Sequence, residues 1–315
     1  MAKKKVEEKI NLDAILFKCR DILRKARNSG SFFEKRDMML TLVFLRFIGE
    51  KFEDGVENLR QNLIKEGLDP DDEAIKAAFL DDPTFTDGTY NLPVDARWST
   101  IIQTPAPKLN VALDTALHSI AASSKQLKGC FVEGTFTTRN LAPNDIKQVV
   151  DEVNKISHRV FGEEKDLIGR VYEYFLKEFA VNATKEEGEF YTPHEVSLLM
   201  SEIVASHLKG KSEIKIYDPT SGSGSLLINI GQSVAKYMSD DNNIQYYAQE
   251  LKENTYNLTR MNLVMRGIDP ANIITRNGDT LEEDWPYFDE NDPVNTYNPL
   301  YVDAVVSNPP YSQAW

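Results

Sequence analysis

The residues with the clearest chemical potential lie near the end of the chain, where Asn308-Pro309-Pro310-Tyr311 follows the apolar run Val302–Ser307. The side-chain oxygen of Asn308 and the carbonyl oxygen of Pro309 are two acceptors that could bind both N–H groups of an exocyclic amine. Because proline fixes φ, Pro309 and Pro310 would aim that carbonyl beforehand. The flat ring of Tyr311 could stack on a nucleobase. These four residues suit chemistry at a base amine, and two prolines that merely end a strand are the alternative.

A second candidate is the segment Asp218–Ser225, which reads DPTSGSGS. Glycine at 222 and 224 permits a tight turn and a close approach of a ligand. A helix that follows such a turn points its first N–H groups at the same place, where a phosphate or an amino-acid carboxylate can bind. Asp218 is unfavourable beside a pyrophosphate but suits the ammonium group of a methionine moiety. The segment departs from the dinucleotide pattern GxGxxG, and a plain strand–helix turn remains the alternative.

Two further acidic residues follow expected strands. Glu250 could accept hydrogen bonds from both hydroxyls of a ribose, which suits NAD and S-adenosylmethionine alike. Asp279 could accept one from an adenine amino group, although Asn277-Gly278-Asp279 is also a common turn.

Upstream, residues 188–194 read GEFYTPH. Thr192 suits a helix N-cap, with Pro193 at the first helical position. His194 has no partner at metal-type spacing, so no metal is expected.

The elements that would position these residues alternate from Ser212 onward. We expect strands over Glu213–Asp218, Ile244–Glu250, Ile273–Asp279 and Val302–Ser307, with helices from Leu226 and over Asn254–Gly267. Strands alternating with helices predict a parallel, doubly wound sheet, in which ligands bind at the carboxyl ends of the strands. Apart from the segment around Tyr191, every polar motif falls at such an end.

The first half of the chain has helical periodicity instead. Apolar residues recur at helical spacing after Asn11, a plausible cap, and again over Leu40–Phe52. Prolines from Pro70 to Pro107 indicate a loop-rich stretch. Helical patterns resume near Val111–Ala122 and from Asp145 to about Ala180.

Length and composition limit the function classes. A chain of 315 residues predicts two domains, and its net charge of −13 argues against a protein that grips DNA phosphates unaided. Cys19 and Cys130 lack metal-type spacing, and neither lies near Asn308, which disfavours the thiol nucleophile of carbon-5 cytosine methylation. The isolated cysteines and the lack of a long apolar run predict a cytoplasmic protein without a membrane partner.

Together these motifs resemble the amino-methylating DNA methyltransferases: NPPY after a fourth strand, DPxxGSG after the first, and FYTP ahead of both. Further segments resemble one branch of that group, the modification subunits of type I restriction–modification systems. They are GEFYTP, LTLVFLRFIGEKFED, PVDARW, DLIGRVYEYFL and QELKENTYNLTRMNLVMRG. The resemblance spans nearly the whole chain.

The resemblance implies an α/β protein with a helical N-terminal domain (1–160) and a Rossmann-like S-adenosylmethionine-dependent methyltransferase domain (161–315). Members of this family continue past NPPY with three more strands and a helical part. We therefore expect the sheet to be incomplete in these 315 residues.

The resemblance also implies roles, carried over by position. Cofactor contacts are expected from Glu189, Phe190, Tyr191, Thr192, Pro193, His194, Ser223, Gly224, Ser225 and Glu250, beside Asp218, Gly222 and Asp279 from the chemistry above. Asn308, Pro309, Pro310 and Tyr311 would take the target adenine. The expected reaction transfers a methyl group from S-adenosylmethionine to the N6 amine of adenine in DNA.

Several partners follow from the same resemblance: double-stranded DNA, a specificity subunit, a restriction subunit and a second copy of the modification subunit. Two alternatives stay open from the sequence. One is a non-catalytic, truncated module that binds cofactor and partner, and the other is an NPPY-type protein or RNA methyltransferase.

Overall fold

The computed structural model describes residues 11–26, 32–80, 92–123, 127–139, 141–156, 171, 174, 192–238, 243–266, 268–282 and 301–309. Its contacts divide the chain into two compact units, Met1–Leu167 and Ile168–Trp315. The domain boundary predicted between residues 160 and 161 lies outside the described residues and stays a prediction. None of the described helices is long and apolar enough to cross a bilayer.

The first unit is helical in its described part. Its main helices are α1 (Leu12–Lys25), α2 (Phe32–Lys65), α3 (Trp98–Gln103), α4 (Ala106–Ser123) and α5 (Pro143–Val153). Short helical turns cover Glu73–Ile75, Lys76–Leu80 and Val94–Ala96. The predicted cap of α1 is confirmed, because the side chain of Asn11 accepts a hydrogen bond from the Ala14 N–H at 3.2 Å.

The helix predicted from the apolar stripe over Leu40–Phe52 is confirmed, and it has 34 residues, which extend beyond the stripe on both sides. The proline-containing stretch predicted to be rich in loops also contains α3, in which the fully buried indole of Trp98 fixes this short helix to the core. The indole Nε1 donates to Asn154 Oδ1 at 2.8 Å. Of the helical pattern predicted from Asp145 to about Ala180, only α5 lies in a continuous described segment.

The second unit alternates strands and helices. After α6 (His194–His207) come β1 (Ile214–Asp218), α7 (Ser225–Ala235), β2 (Ile244–Glu250), α8 (Glu253–Met265), β3 (Ile273–Asn277) and β4 (Ala304–Val305). A 3-10 turn over Pro270–Asn272 precedes β3. The core between sheet and helices includes Ile214, Ile216, Leu227, Ile230 and Ile244, all at most 1% exposed.

The sheet has the order β3-β2-β1-β4, and all its pairs are parallel. The predicted α/β architecture is confirmed. Strand order reverses between β1 and β4, so the crevice beyond their carboxyl ends is the switch point at which such sheets bind ligands. The loops after Asp218 and Val305 therefore lie side by side.

The strand and helix limits differ from the predicted ones by a few residues. The third strand ends at Asn277 rather than Asp279, and the fourth is only Ala304–Val305 within the predicted Val302–Ser307. A parallel strand ends where its ladder to the neighbour ends, and β4 pairs with β1 only through Ala304 and Val305.

Candidate cofactor and substrate site

The loop between β1 and α7 is a tight turn that depends on glycine. Gly222 has φ = 57° and Gly224 has φ = 77°, values that L side chains rarely adopt. The Gly224 N–H donates to the Ser221 carbonyl at 2.7 Å, which closes the turn, and α7 begins at the next residue. A Cβ on Gly224 would also stand 3.3 Å from Thr259 Cγ2. The turn therefore lies close against α8.

Asp218 is the last residue of β1 and lies beneath this loop. Its side chain is 2% exposed, and its Oδ1 accepts from the Thr220 N–H at 3.0 Å. Burial, with a smaller contribution from the nearby charge of Glu250, raises the pKa of Asp218 to about 7, although the hydrogen bonds from Thr220 lower it. A buried carboxyl that ionises near neutral pH is suited to pair with a cation.

Glu250 ends β2 and reaches across to the loop. Its Oε2 accepts from the Gly222 N–H and its Oε1 from the Lys252 N–H, each at 3.0 Å. The carboxylate therefore accepts backbone hydrogen bonds at both oxygens. A carboxamide in its place would turn an NH₂ donor toward one of these N–H donors.

Hydrogen bonds connect the end of β3 and the turn after it to the end of β2 and to the β1 loop. The Asn277 amide donates to the carbonyls of Glu250 at 2.8 Å and Leu251 at 2.9 Å. Asp279 lies two residues beyond the strand, and its Oδ1 accepts from the Leu281 N–H at 2.9 Å in a local turn. The Thr280 hydroxyl donates to the Pro219 carbonyl at 2.6 Å, which joins this turn to the β1 loop.

The end of β4 meets the β1 loop and the start of α6. The hydroxyls of Ser307 and Thr220 lie 2.8 Å apart. The next residue, Asn308, donates from its Nδ2 to Thr192 Oγ1 at 3.0 Å. The structure thus brings together two of the sequence motifs, the one containing Thr192 and the one containing Asn308.

The predicted capping role of Thr192 is wrong. Helix α6 begins at His194, Pro193 is its N-cap, and no side chain caps it. The Pro193 carbonyl accepts the first helical hydrogen bond, from the Ser197 N–H at 2.9 Å. The preference of threonine for N-cap positions does not decide its role here, because the Thr192 hydroxyl accepts a hydrogen bond from Asn308, 116 positions away in the sequence.

Of the remaining predicted residues, three lie in the described part of the chain and the others do not. The hydroxyls of Ser223 and Ser225 are both buried and lie 2.9 Å from each other. Pro309 is exposed. Outside the described residues lie Glu189, Phe190, Tyr191, Pro310, Tyr311 and the side chain of His194.

Sequence reasoning overlooked two residues of α8. Thr259 and Asn262 are 0% and 1% exposed, and their side chains donate to carbonyls of the glycine loop. The available signal was a set of polar residues four and three positions apart, Thr255, Thr259 and Asn262, on the buried side of the helix. Polar side chains placed on a buried face need partners, and the adjacent loop supplies them.

Comparison with known proteins identifies the family to which the chain is related. The N-6 DNA Methylase profile matches residues 163–315, and the HsdM N-terminal domain profile matches residues 12–153. The chain is 29% identical to the type I restriction enzyme MpnII methylase subunit of Mycoplasma pneumoniae, over all of this chain and 60% of that protein. It is 27% identical to the MjaIX methylase subunit of Methanocaldococcus jannaschii, over 95% of this chain and 50% of that protein.

A structural comparison gives the same class of protein as these sequence relatives. The type I restriction–modification methyltransferase subunit from Streptococcus thermophilus superposes with a TM-score of 0.70 at 25% identity, covering 96% of this chain and 64% of that one. The chain thus spans about half to two thirds of the length of the relatives that it matches. With an HsdM N-terminal domain followed by an N-6 DNA methylase domain, it belongs to the family of type I restriction–modification methyltransferase subunits.

Proposed function

We propose that this protein transfers a methyl group from S-adenosylmethionine to the N6 amine of adenine in DNA, as the modification subunit of a type I restriction–modification complex. One observation carries the proposal: the glycine loop, Glu250 and Asn308 lie at the carboxyl ends of three neighbouring parallel strands, at the switch point of the sheet. Glu250 accepts a hydrogen bond from the Gly222 N–H, and Ser307, the residue before Asn308, lies within hydrogen-bond distance of Thr220 in the same loop. Family membership supports the same reading.

The residues at this edge fit the cofactor. Asp218 offers a buried carboxyl for the ammonium group, the turn through Gly222 and Gly224 lets a carboxylate approach backbone N–H groups, and Glu250 offers oxygens for ribose hydroxyls. Asp279 lies at the next strand end and could accept from the adenine amine. When bound, S-adenosylmethionine supplies an electrophilic methyl group on its sulfonium.

Asn308 is proposed to prepare the nucleophile. The amine of adenine is a poor nucleophile because its lone pair is delocalised into the ring. Acceptance of its two N–H groups by Asn308 Oδ1 and the Pro309 carbonyl would draw the nitrogen toward tetrahedral geometry, and proline presets the direction of that carbonyl. Tyr311 would stack on the base after it leaves the duplex.

The partners are part of the proposal. With a net charge of −13, this chain is a poor match for the phosphate backbone on its own, because nonspecific affinity comes from clustered Lys and Arg. We therefore expect a specificity subunit to supply most of the contacts with double-stranded DNA. A second modification subunit and a restriction subunit would complete the complex.

The test is methyl transfer from labelled S-adenosylmethionine by the full-length protein, with and without its specificity subunit, to duplex DNA, RNA and protein. We expect label in DNA as N6-methyladenine only when the specificity subunit is present. Asn308→Ala should slow single-turnover transfer by roughly 10²–10³-fold, as the loss of one preorganised polar group does in other active sites. Label in protein or RNA, or cofactor binding without any transfer, would contradict the proposal.

A further inference from the structure

Two buried side chains of α8 hold the glycine loop from behind. The Thr259 hydroxyl donates to the Gly222 carbonyl at 2.7 Å, and the Asn262 amide donates to the Ser223 carbonyl at 2.9 Å. The Ser221 hydroxyl lies 3.0 Å from Thr259 Oγ1. Successive carbonyls of the loop are thus bound to one helix.

These contacts determine where the loop directs its N–H groups. In a trans peptide the carbonyl of one residue and the N–H of the next point in opposite directions. Because the Gly222 carbonyl points at α8, the Ser223 N–H points away from α8. On the other side of the same turn, the Gly222 N–H binds Glu250. The orientation of the peptide between Gly222 and Ser223 is therefore set by the Thr259 hydroxyl.

Packing alone does not call for polar residues here. The neighbours of Thr259 and Asn262 on α8 include Leu258, Leu263 and Val264, which are all at most 2% exposed. Valine and leucine are similar in size to threonine and asparagine and would themselves have no polar group to satisfy, whereas a buried amide is costly unless it is hydrogen-bonded. What they would lose are the donors to the Gly222 and Ser223 carbonyls. The polar pair is explained by the loop that it binds.

We infer that Thr259 and Asn262 are positioning residues for the cofactor. They keep the glycine loop in the conformation that receives the amino-acid end of S-adenosylmethionine, without touching the cofactor themselves. This inference rests on the proposed function of the loop. It predicts that their loss weakens recognition of the amino-acid moiety more than recognition of the adenosine moiety.

The test compares two ligands by calorimetry on the full-length protein: S-adenosylmethionine and 5′-methylthioadenosine, which lacks the amino-acid end. We expect Thr259→Val and Asn262→Leu each to weaken S-adenosylmethionine binding by about tenfold or more, a change that one hydrogen bond can account for. Binding of 5′-methylthioadenosine should change by less than about threefold, since its proposed contacts lie at Glu250 and Asp279.

Asn229 provides a matched control. It is also a buried asparagine in a helix of this unit, 3% exposed, and its amide donates to Ser197 Oγ at 2.8 Å, away from the glycine loop. Asn229→Leu should lower thermal stability about as much as Asn262→Leu but leave the ratio of the two affinities unchanged. Equal weakening of both ligands in Asn262→Leu, or no weakening, would overturn the inference. Wild-type protein that binds neither ligand would overturn the proposed function and this inference with it.

A second, independent inference comes from the hydrogen bond between Asn308 and Thr192. An asparagine amide has one acceptor end and one donor end, and adenine's amine needs the acceptor. Because Nδ2 donates to Thr192 Oγ1 at 3.0 Å, the amide is held with its donor end toward the start of α6. The geometry points to Thr192 as a positioning residue that sets the orientation of the Asn308 amide, in place of the cofactor contact that the family resemblance implied. This role rests on the proposed function of Asn308.

Thr192→Val in the complete enzyme tests this role, since it removes the hydroxyl and keeps the shape. Single-turnover methyl transfer should fall by about tenfold or more while the cofactor Kd stays within about twofold, and Thr192→Ser should restore the rate. A normal rate in Thr192→Val would overturn the inference. So would a cofactor Kd that weakens in step with the rate, because Thr192 would then act through the cofactor.

A measurement that does not depend on turnover completes the test. In protein labelled with ¹⁵N-asparagine, the side-chain amide signal of Asn308 is identified by its absence from Asn308→Ala. That signal should shift in Thr192→Val and stay near its wild-type position in Thr192→Ser. An unshifted signal in Thr192→Val would overturn the inference even if the enzyme showed no transfer.

Discussion

Both units bury polar side chains, but they bury different kinds. In the described part of the first unit most of these groups are charged and form ion pairs: Arg36 with Asp37, Arg46 with Glu50, and Glu152 with Lys18 and Lys155. In the second unit most are hydroxyls and amides. Those are Ser197, Ser201, Ser221, Ser223, Ser225, Asn229, Ser233, Gln249, Thr255, Asn257, Thr259 and Asn262.

The difference indicates what each interior is for. Ion pairs gain little net stability once desolvation is counted, so the first unit depends on its apolar core. The pairs Arg36–Asp37 and Arg46–Glu50 lie within α2, whereas Glu152 of α5 reaches Lys18 of α1 and joins two helices. A neutral hydrogen bond contributes only about 0.5–1.5 kcal/mol, but it is directional. The second unit uses such bonds to orient backbone groups at the edge where a ligand is expected.

The largest effect should come from the apolar core of the first unit. Trp98 is 1% exposed, so Trp98→Ala should lower the free energy of unfolding by about 3–5 kcal/mol. If the two interiors serve different purposes, cofactor affinity measured well below the unfolding transition should stay within about twofold of wild type. Urea unfolding and calorimetry on the same protein check both statements. A large loss of affinity in the folded variant would break the comparison.

How far the sequence predicts this architecture depends on whether the deciding contacts are local. The strands were predictable because short runs with alternating or continuous apolar residues such as Ile214, Ile216 and Ile244, which alternate with helical segments, are typical of a buried sheet. Their parallel arrangement followed from the strand–helix alternation, but their order and the position of the switch point come from the structure. The extent of β4 did not, because it depends on how many residues pair with β1.

The site divides in the same way. The turn at Gly222 and Gly224 was predictable, since glycine is the residue that tolerates positive φ. The capping role given to Thr192 was wrong because its partner, Asn308, is distant in sequence. Thr259 and Asn262 were not predicted, because the periodicity of apolar residues locates the buried face of a helix from those residues alone. Polar residues on the same face are not detected in this way. Where a buried polar side chain has its hydrogen-bond partner in another segment of the chain, the sequence alone did not identify that partner.

An intermediate effect is expected at Glu250, where the comparison can be sharpened. Glu250→Gln keeps the size of the side chain but sets its NH₂ group against one of two backbone donors, Gly222 N–H or Lys252 N–H. Hydrogen bonds to charged groups contribute about 1.5–3 kcal/mol, so the cofactor Kd should rise by roughly 10–150-fold. Calorimetry with S-adenosylmethionine measures the change.

Asp269→Asn is the matched control for that substitution, at a residue with no proposed contact to the cofactor. The Asp269 carboxylate accepts one backbone hydrogen bond, from the Ala271 N–H, and the oxygen of asparagine can accept the same bond. We expect a change in cofactor Kd of less than about fivefold, which corresponds to roughly 1 kcal/mol. If the two variants behave alike, the loss in Glu250→Gln reflects charge alone rather than the orientation of the loop.

The smallest effect expected at the proposed cofactor site itself is a pH dependence that originates in Asp218. Burial raises the pKa of this carboxyl to about 7, so below neutral pH it is largely protonated in the free protein. Pairing with the ammonium of the cofactor requires the ionised form, so binding releases a proton on the acidic side. The affinity therefore rises with pH up to about 7 and then levels off. At pH 6 the cofactor Kd should be roughly tenfold weaker than at pH 7.5, because one pH unit changes such a linked equilibrium by up to tenfold.

The same shift has the opposite sign for the stability of the free protein. A carboxyl whose pKa is higher folded than unfolded favours unfolding as pH rises, so Asp218 makes the stability of the free protein fall as pH rises from about 4 to 7 and stay lower above pH 7. The bound cation should offset that cost, so stabilisation by the cofactor should be larger at pH 7.5 than at pH 6. Asp218→Asn removes the titrating group, and both pH dependences should flatten. If the wild-type Kd is the same at both pH values, the buried carboxyl does not pair with the ammonium, and the polar interior of this unit serves the loop's shape alone.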